Sequence, residues 1–142
     1  MIRVFIDSSV LFSACFSKKG ASREIILNGI RGELELVISD YVKEEAERNL
    51  KEKAPEALPY LQQVLEAIPF KIAKPTLNEI ERAALYVEIE DAPIVAGAKY
   101  AKADYLVSLD RKHLAGVVDA TKSGIKTVLP AQLLKELRQA KN

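Results

Sequence analysis

The sequence predicts an α/β fold, a three-layer α/β/α sandwich with a central parallel sheet of about five strands. Two features carry this prediction. Short apolar runs alternate along the chain with stretches whose apolar residues recur at helical spacing. The apolar runs are nearly continuous, which is typical of parallel strands covered by helices on both faces, whereas strands with one face in water alternate apolar and polar residues.

The elements follow one another in regular order. The predicted strands span residues 3–6, 34–39, 70–73, 105–109 and 126–129. The predicted helices span residues 21–30, 40 to about 53, a segment after Pro55 and Pro59 that ends at 68, 77 to about 87, 91–103, and the segment from Pro130 onward. We expect Ser22 and Asp40 to be N-caps, Thr76 and Glu79 to form a capping box, and residues 115–124 to be a loop.

Length and composition indicate one globular unit. The 142 residues are enough for a single domain with a sizeable core, so we expect one domain over residues 1–142. No apolar run approaches the roughly 18 residues of a membrane span, and the first residues lack the features of a signal peptide. The single cysteine, Cys15, cannot form an internal disulfide. We therefore expect a cytoplasmic protein with no membrane association.

The composition also restricts the chemistry. One histidine and one cysteine cannot supply a zinc site within one chain, and no nucleophile elbow, P-loop or dinucleotide-binding glycine motif is present. The net charge of +1 is not the strongly basic profile of a protein that binds nucleic acid by bulk charge. Catalysis therefore falls to carboxylates, lysines and bound metal.

Two aspartates follow predicted strands. Asp7 comes directly after the strand that ends at Ile6, and Asp110 directly after the strand that ends at Leu109. The carboxyl ends of parallel strands meet at one edge of a sheet, where ligands bind in open α/β folds. Asp also starts turns for purely structural reasons, but that explanation is weaker for two residues in equivalent places.

Two further acids project inward from predicted helices. At about 100° per residue, Glu45 falls inside the buried arc of its helix and Glu44 falls on the solvent side. Asp91 projects onto the inward side of its helix, where Ile94, Val95, Ala98 and Ala101 face the core, and it can act both as an N-cap and as a ligand. Glu90, the residue before it, is a weaker candidate.

We expect the carboxylates of Asp7, Glu45, Asp91 and Asp110 to converge at one sheet edge, with no arginine in the same motifs to neutralise them. Clustered carboxylates raise one another's pKa. Hard divalent cations relieve that repulsion, so Mg²⁺ or Mn²⁺ is the expected occupant. Such an ion can activate water and stabilise charge on a phosphoryl oxygen.

At these residues the chain resembles the PIN-domain family along nearly its whole length. The matching stretches are RVFIDSSVLFSA, ELVISDYVKEEAERNL, EDAPIVAGAKYAKADYLVSLD and VLPAQLL. PIN domains are Mg²⁺- or Mn²⁺-dependent ribonucleases, and the resemblance assigns their acids to Asp7, Glu45, Asp91 and Asp110. Ser108 matches the Ser or Thr that often precedes the fourth acid, and Ser9 stands where many members have Asn.

The resemblance implies an endoribonuclease that hydrolyses single-stranded RNA by metal-activated water. VapC-type toxins are single-domain members of similar length, which implies an antitoxin partner and a homodimer, with Leu58, Leu61 and Leu65 as one candidate contact patch. The alternative is a PIN-like scaffold that binds RNA or protein without cleavage; loss of an acid would favour it, and all four are present. A phosphatase or receiver domain would need paired acids at the first strand, which Asp7-Ser8-Ser9 does not provide.

Basic residues near the two strand ends are candidate RNA-phosphate contacts. Arg111, Lys112 and His113 follow Asp110 on one side. Lys18, Lys19 and Arg23 lie after the first strand on the other. For both groups, a solvated surface without a functional role is the alternative. Cys15 is interpreted as a small core residue and not as a nucleophile.

Overall fold

The central sheet lies in the part of the chain that the computed structural model describes, which is residues 1–112, Leu114 and residues 124–141. Its five strands are β1 (Arg3–Ile6), β2 (Glu35–Ser39), β3 (Lys71–Ala73), β4 (Tyr105–Val107) and β5 (Lys126–Val128). All neighbouring strands pair in parallel, in the order β3-β2-β1-β4-β5. The predicted strands are thus confirmed within two residues at each end.

Helices cover the sheet. They are α1 (Ser8–Phe16), α2 (Ala21–Ile30), α3 (Asp40–Lys53), α4 (Leu58–Ala67), α5 (Leu77–Ala83), α6 (Ala92–Tyr100) and α7 (Pro130–Lys141), with a 3₁₀ turn at Pro55–Ala57. Helices α1 to α4 pack on one another, α7 packs on α2, and α5 packs on α6. In the described segments, no helix has the length and apolar character needed to cross a bilayer.

The central strand β1 shows that both faces of the sheet are covered. Val4, Phe5 and Ile6 are all fully buried. Successive side chains of a strand point to opposite faces, so burial of three in a row requires a helical layer on each side. The predicted three-layer α/β/α sandwich is confirmed.

Several predicted boundaries were wrong. Helix α1 was not predicted. Strand β4 ends at Val107, so Asp110 lies in the turn beyond the strand and not at its end. Ser22 is buried inside α2, whose N-cap is Gly20 at φ 107. The hydroxyl of Ser39, not Asp40, caps α3 by accepting a hydrogen bond from the backbone N–H of Val42 at 3.2 Å. Residues 115–123 of the predicted loop lie outside the described residues.

Two further predictions concern the cap of α5 and the leucines of α4. The capping box of α5 is present, with the N–H of Glu79 donating to the Thr76 hydroxyl and the N–H of Thr76 donating to the Glu79 carboxylate. The candidate dimer patch on α4 is smaller than predicted, because Leu61 is fully buried, and Leu58 and Leu65 are partly buried against the core. Those leucines stabilise the fold of the chain itself.

The strand order places a crevice beside β1. The chain moves from β1 through β2 to β3 on one side, and then returns to β4 and β5 on the other. The backbone N–H of Asp7 donates to the carbonyl oxygen of Val107 at 3.0 Å, which ties the end of β1 to the end of β4. Ligands bind at this kind of topological switch point in open α/β sheets.

Helix α6 lies close to the sheet because it has Gly97 at the contact. A Cβ atom at Gly97 would lie 3.0 Å from ring atoms of Phe5. We expect Gly97→Val to lower the free energy of unfolding by about 1–3 kcal/mol through overpacking, as measured by urea denaturation. Lys99→Val, at an exposed position of the same helix, controls for the helix propensity of valine. Equal losses in the two variants would contradict the packing argument.

Candidate active site at the switch point

A cavity of about 570 Å³ opens at the carboxyl edge of the sheet. Five carboxylates line it, those of Asp7, Glu45, Glu90, Asp91 and Asp110. The structure therefore brings together all four acids that the sequence singled out. The weaker candidate Glu90 also lines the cavity and is exposed to solvent.

Asp7 is the buried acid of the cavity, with 7% of its surface exposed. Its Oδ1 accepts a hydrogen bond from the backbone N–H of Ser8 at 2.7 Å, and it caps the first turn of α1. Burial raises the pKa of the Asp7 carboxyl above its usual value; hydrogen bonds from Ser108, Ser8 and Ser9 oppose that rise, and nearby Glu45 adds to it. The raised pKa shows that burial outweighs the hydrogen bonds.

Two serines fix the other oxygen of Asp7. The hydroxyls of Ser108 and Ser9 donate to Oδ2 at 2.8 and 3.1 Å. Each serine also accepts a backbone hydrogen bond, Ser108 from Asp110 at 3.0 Å and Ser9 from Leu109 at 3.1 Å. Ser9 thus contacts both the Asp7 carboxylate and the backbone of Leu109. The two serines hold the Asp110 turn against the start of α1.

Glu45 and Glu44 point to different environments, as the helical projection predicted. Glu45 lines the cavity with 26% of its side chain exposed, and Glu44 is exposed to solvent. The Ser8 hydroxyl donates to Glu45 Oε1. Arg48, one turn further along α3, lies 3.8 Å from Glu45 Oε2. The expectation that no arginine accompanies the acids was therefore wrong, although Arg48 is largely exposed and such an ion pair contributes little.

The remaining two predicted acids lie at the cavity rim. Asp91 occupies the N-cap position of α6, but its side chain makes no capping hydrogen bond to the helix. Asp110 Oδ1 accepts a hydrogen bond from the backbone N–H of Lys112 at 3.0 Å. Both residues are partly exposed. Asp91 and Asp110 are thus more exposed to solvent than Asp7 is.

The sequence did not identify the other half of the cavity. These lining residues are Ser8, Phe12, Ser13, Phe16, Tyr41, Asn49, Lys53, Ile94 and Leu109. Burial, followed by the proximity of Glu45, raises the pKa of the Tyr41 phenol. The signal that would have found the α1 residues is Asp7 itself, because an Asp before a largely apolar stretch is a candidate N-cap of a helix.

The predicted basic residues have different environments. Arg111 and Lys112 are exposed next to Asp110, and His113 lies outside the described residues. Lys18 and Lys19 are exposed after α1. Arg23 is not a rim residue, since its Nε donates to the carbonyl of Ala14 at 2.6 Å and its guanidinium lies 4.0 Å from the Tyr60 ring centroid.

The donor atoms of the cavity are those that Mg²⁺ and Mn²⁺ prefer. Carboxylate, hydroxyl and amide oxygens line it, and no thiol or imidazole does among the described residues. In that same part of the chain, no three acid, histidine or cysteine side chains form a ready-made group around a metal position. The residues fit such a cation by chemistry, and binding would require side-chain rotation at Glu45 or at the rim.

Comparison with known proteins gives a consistent result. A family model described as a PIN domain matches residues 3–112. PAE2754 from Pyrobaculum aerophilum is similar in structure, with a TM-score of 0.67, 22% sequence identity, and coverage of 97% of this chain and 90% of that chain. No curated protein sequence matches.

Two solved complexes are also similar in fold. VapBC2 from Rickettsia felis, bound to a DNA fragment from its promoter, has a TM-score of 0.63 and 12% identity, covering 90% of this chain and 98% of that chain. FitAcB from Neisseria gonorrhoeae has a TM-score of 0.60 and 11% identity, covering 89% of this chain and 97% of that chain. Both likenesses extend over most of the fold.

Proposed function

The chain belongs to the PIN-domain family, whose members are generally nucleases, and we propose that it is a divalent-metal-dependent endoribonuclease that hydrolyses single-stranded RNA. The observation that carries this proposal is the meeting of Asp7, Glu45, Asp91 and Asp110 in one cavity at the switch point of the sheet. The family match covers residues 3–112, and α7 beyond it packs on α2. We therefore propose that residues 1–142 act as one nuclease domain.

The chain's own residues would position the reaction. Asp7 is held by hydrogen bonds to both of its oxygens, so its carboxylate has a fixed direction. Glu45, Asp91 and Asp110 are more exposed and can adjust to a ligand. A bound Mg²⁺ or Mn²⁺ would neutralise the acids and supply charge stabilisation and an activated water for attack on phosphorus. Lys53 on the cavity wall places a cation where a phosphodiester would enter.

Cleavage of RNA by the purified full-length chain tests this proposal. A labelled single-stranded RNA should be cut in the presence of Mn²⁺. The alternative is a PIN-like scaffold that binds RNA or protein without cutting, and the lack of a ready-made metal group among the described side chains favours it. Failure to cut any RNA in Mn²⁺ would replace the nuclease proposal with the scaffold.

The two adjacent glutamates of α3 provide a matched pair of variants. We expect Glu45→Gln to lower the cleavage rate by more than about 100-fold, since even a residue behind a metal ligand typically contributes about 10–100-fold. Glu44→Gln removes the same charge from the same helix, one residue away, and should leave the rate within about twofold, because its side chain points to solvent. Loss of activity in Glu44→Gln alone would show that the wrong glutamate has been assigned to the site.

We also propose an antitoxin partner. The support is the similarity in fold to VapBC2 and FitAcB, together with the length and single-domain organisation that the chain shares with VapC-type toxins. Free, buried Cys15 fits the reducing conditions of the cytoplasm, where we propose that the protein acts.

We separately propose that the chain forms a homodimer. This proposal rests on the family resemblance. We do not expect Leu61 to contribute to its interface, since that side chain is fully buried within the chain. Light scattering at micromolar concentration should give about twice the 15.7 kDa of one chain. Leu61→Ala should destabilise the chain without separating the dimer. A single species of 15.7 kDa over the whole concentration range would contradict the dimer.

A further inference from the structure

An aromatic pair lines one wall of the acid cavity. Phe12 and Phe16 stack with ring centroids 5.6 Å apart and an angle of 11° between their planes. Phe12 packs partly against the core, whereas Phe16, the last residue of α1, is 59% exposed. Because burying a phenylalanine side chain stabilises a fold by about 1.5–3 kcal/mol, an exposed ring at a cavity mouth contributes little to folding. Packing within the fold therefore does not explain why a phenylalanine occupies position 16.

The geometry of the pair suits another flat ring. The Phe12 and Phe16 rings are nearly parallel and offset from each other, and the exposed surface of Phe16 leaves room for a further ring. Unpaired nucleobases stack on aromatic side chains in this way, largely independently of sequence, because every base has a π-face. Phe12, Phe16 and the acids line the same cavity. A strand that enters this cavity can therefore contact the acids and the two rings together.

The charges on this wall favour a nucleic acid over an apolar peptide. The Lys53 ammonium lies 5.8 Å from the Phe12 ring centroid and lines the cavity. Lys18 and Lys19 are exposed in the segment that follows Phe16. Cations beside the rings can bind the phosphates on either side of a stacked base. An apolar side chain would cover the rings but leave these cations without a role.

We propose that Phe12 and Phe16 form a stacking platform for an unpaired nucleobase next to the scissile phosphate of a single-stranded RNA. This inference rests on the proposed ribonuclease activity. It identifies the base next to the scissile phosphate as the part of the substrate that Phe12 and Phe16 bind. Selection for single strands follows, since a base inside a duplex is stacked and paired and cannot reach the rings. We also expect the platform to show little preference among the four bases, because stacking does not read their hydrogen-bonding edges.

The test compares two short RNAs that share one sugar-phosphate backbone, one with all its bases and one with abasic sites. Every protein carries Asp110→Asn, so that the RNA stays intact, and binding in Mn²⁺ is followed by fluorescence anisotropy. Phe16→Ala should weaken binding of the complete RNA about tenfold and leave binding of the abasic RNA unchanged. Phe16→Trp should restore the affinity. Leu85→Ala, at a residue 85% exposed that does not line the cavity, should change neither.

Three results would overturn the platform. Equal affinities of Phe16→Ala and its parent for the complete RNA would leave the ring as a surface for a protein partner. Equal losses for both RNAs would show a structural effect unrelated to bases. Absence of binding to either RNA by the parent would also overturn it. Cleavage by the unmutated chain is measured separately, so failure of the platform and failure of the nuclease proposal remain distinguishable.

Discussion

Asp7→Asn is expected to abolish RNA cleavage while raising the melting temperature of the metal-free protein. Loss of activity should exceed about 100-fold, because residues that merely support metal ligands typically contribute about 10–100-fold. Asparagine has the same shape, can still cap α1, and can stay hydrogen-bonded to the Ser9 and Ser108 hydroxyls, which rotate freely between donating and accepting. The variant should therefore fold normally.

The gain in stability follows from the raised pKa of the Asp7 carboxyl, which burial causes. A group whose pKa is higher in the folded state favours folding at low pH, and that contribution is lost as the pH rises through the folded pKa. At neutral pH the buried carboxyl of Asp7 therefore contributes less to stability than at low pH, whereas asparagine is neutral at every pH. In EDTA the melting temperature of Asp7→Asn should exceed that of the wild type at pH 7, and the difference should shrink toward pH 4 or so.

Glu44→Gln controls for the loss of one negative charge and should leave the melting temperature nearly unchanged, since Glu44 is exposed. A lower melting temperature for Asp7→Asn at pH 7 in EDTA would show that the hydrogen bonds to the carboxylate outweigh its burial. Retention of cleavage by Asp7→Asn would remove Asp7 from the catalytic site.

The second large effect concerns the ends of the cleaved RNA, which should all carry 5′-phosphate and 3′-hydroxyl groups. A ribonuclease that uses the 2′-hydroxyl as nucleophile usually needs a general base and a general acid, often two histidines, and this chain has only His113. Attack by water instead expels the 3′-oxygen and leaves the phosphate on the downstream fragment. EDTA should stop the reaction, and excess Mn²⁺ should restore it.

End-group analysis by mass spectrometry distinguishes the two routes. His113→Ala should retain most of the activity. A 2′,3′-cyclic phosphate product, or full activity in EDTA, would contradict hydrolysis by water. Either result would direct attention to His113 as a base.

Hydrophobic periodicity predicted most of the fold, because burial on both faces leaves a direct record in the sequence. The apolar runs of β1 and β2 and the buried stripe of Val42, Ala46 and Leu50 on α3 all lie where the pattern placed them. The same periodicity separated Glu45 from Glu44. Burial of a strand or of one helix face imposes a regular spacing of apolar residues, so these positions can be predicted from the local sequence.

Features that depend on contacts distant in sequence were missed. Helix α1 is apolar on most sides because it packs on α2 and α3, so its sequence shows little amphipathic periodicity. The sequence placed Leu61 on a surface, although neighbouring helices cover it. Phe12 and Phe16 reach the cavity from α1, and Lys53 reaches it from the end of α3. Only the packing of these two helices in the folded chain brings the three residues together.

The central position of β1 has a consequence for synthesis of the protein. Asp7 is translated early, yet its hydrogen bond from Ser108 spans 101 residues, and Asp91 and Asp110 also come late in the chain. While β4 is still inside the ribosome, Asp7 lacks its second neighbouring strand and the cavity lacks one wall. We therefore expect a nascent chain to have no nuclease activity until β4 has emerged. In a chain with this topology, the proposed site can be completed only after the segment that carries β4 and Asp110 has been synthesised.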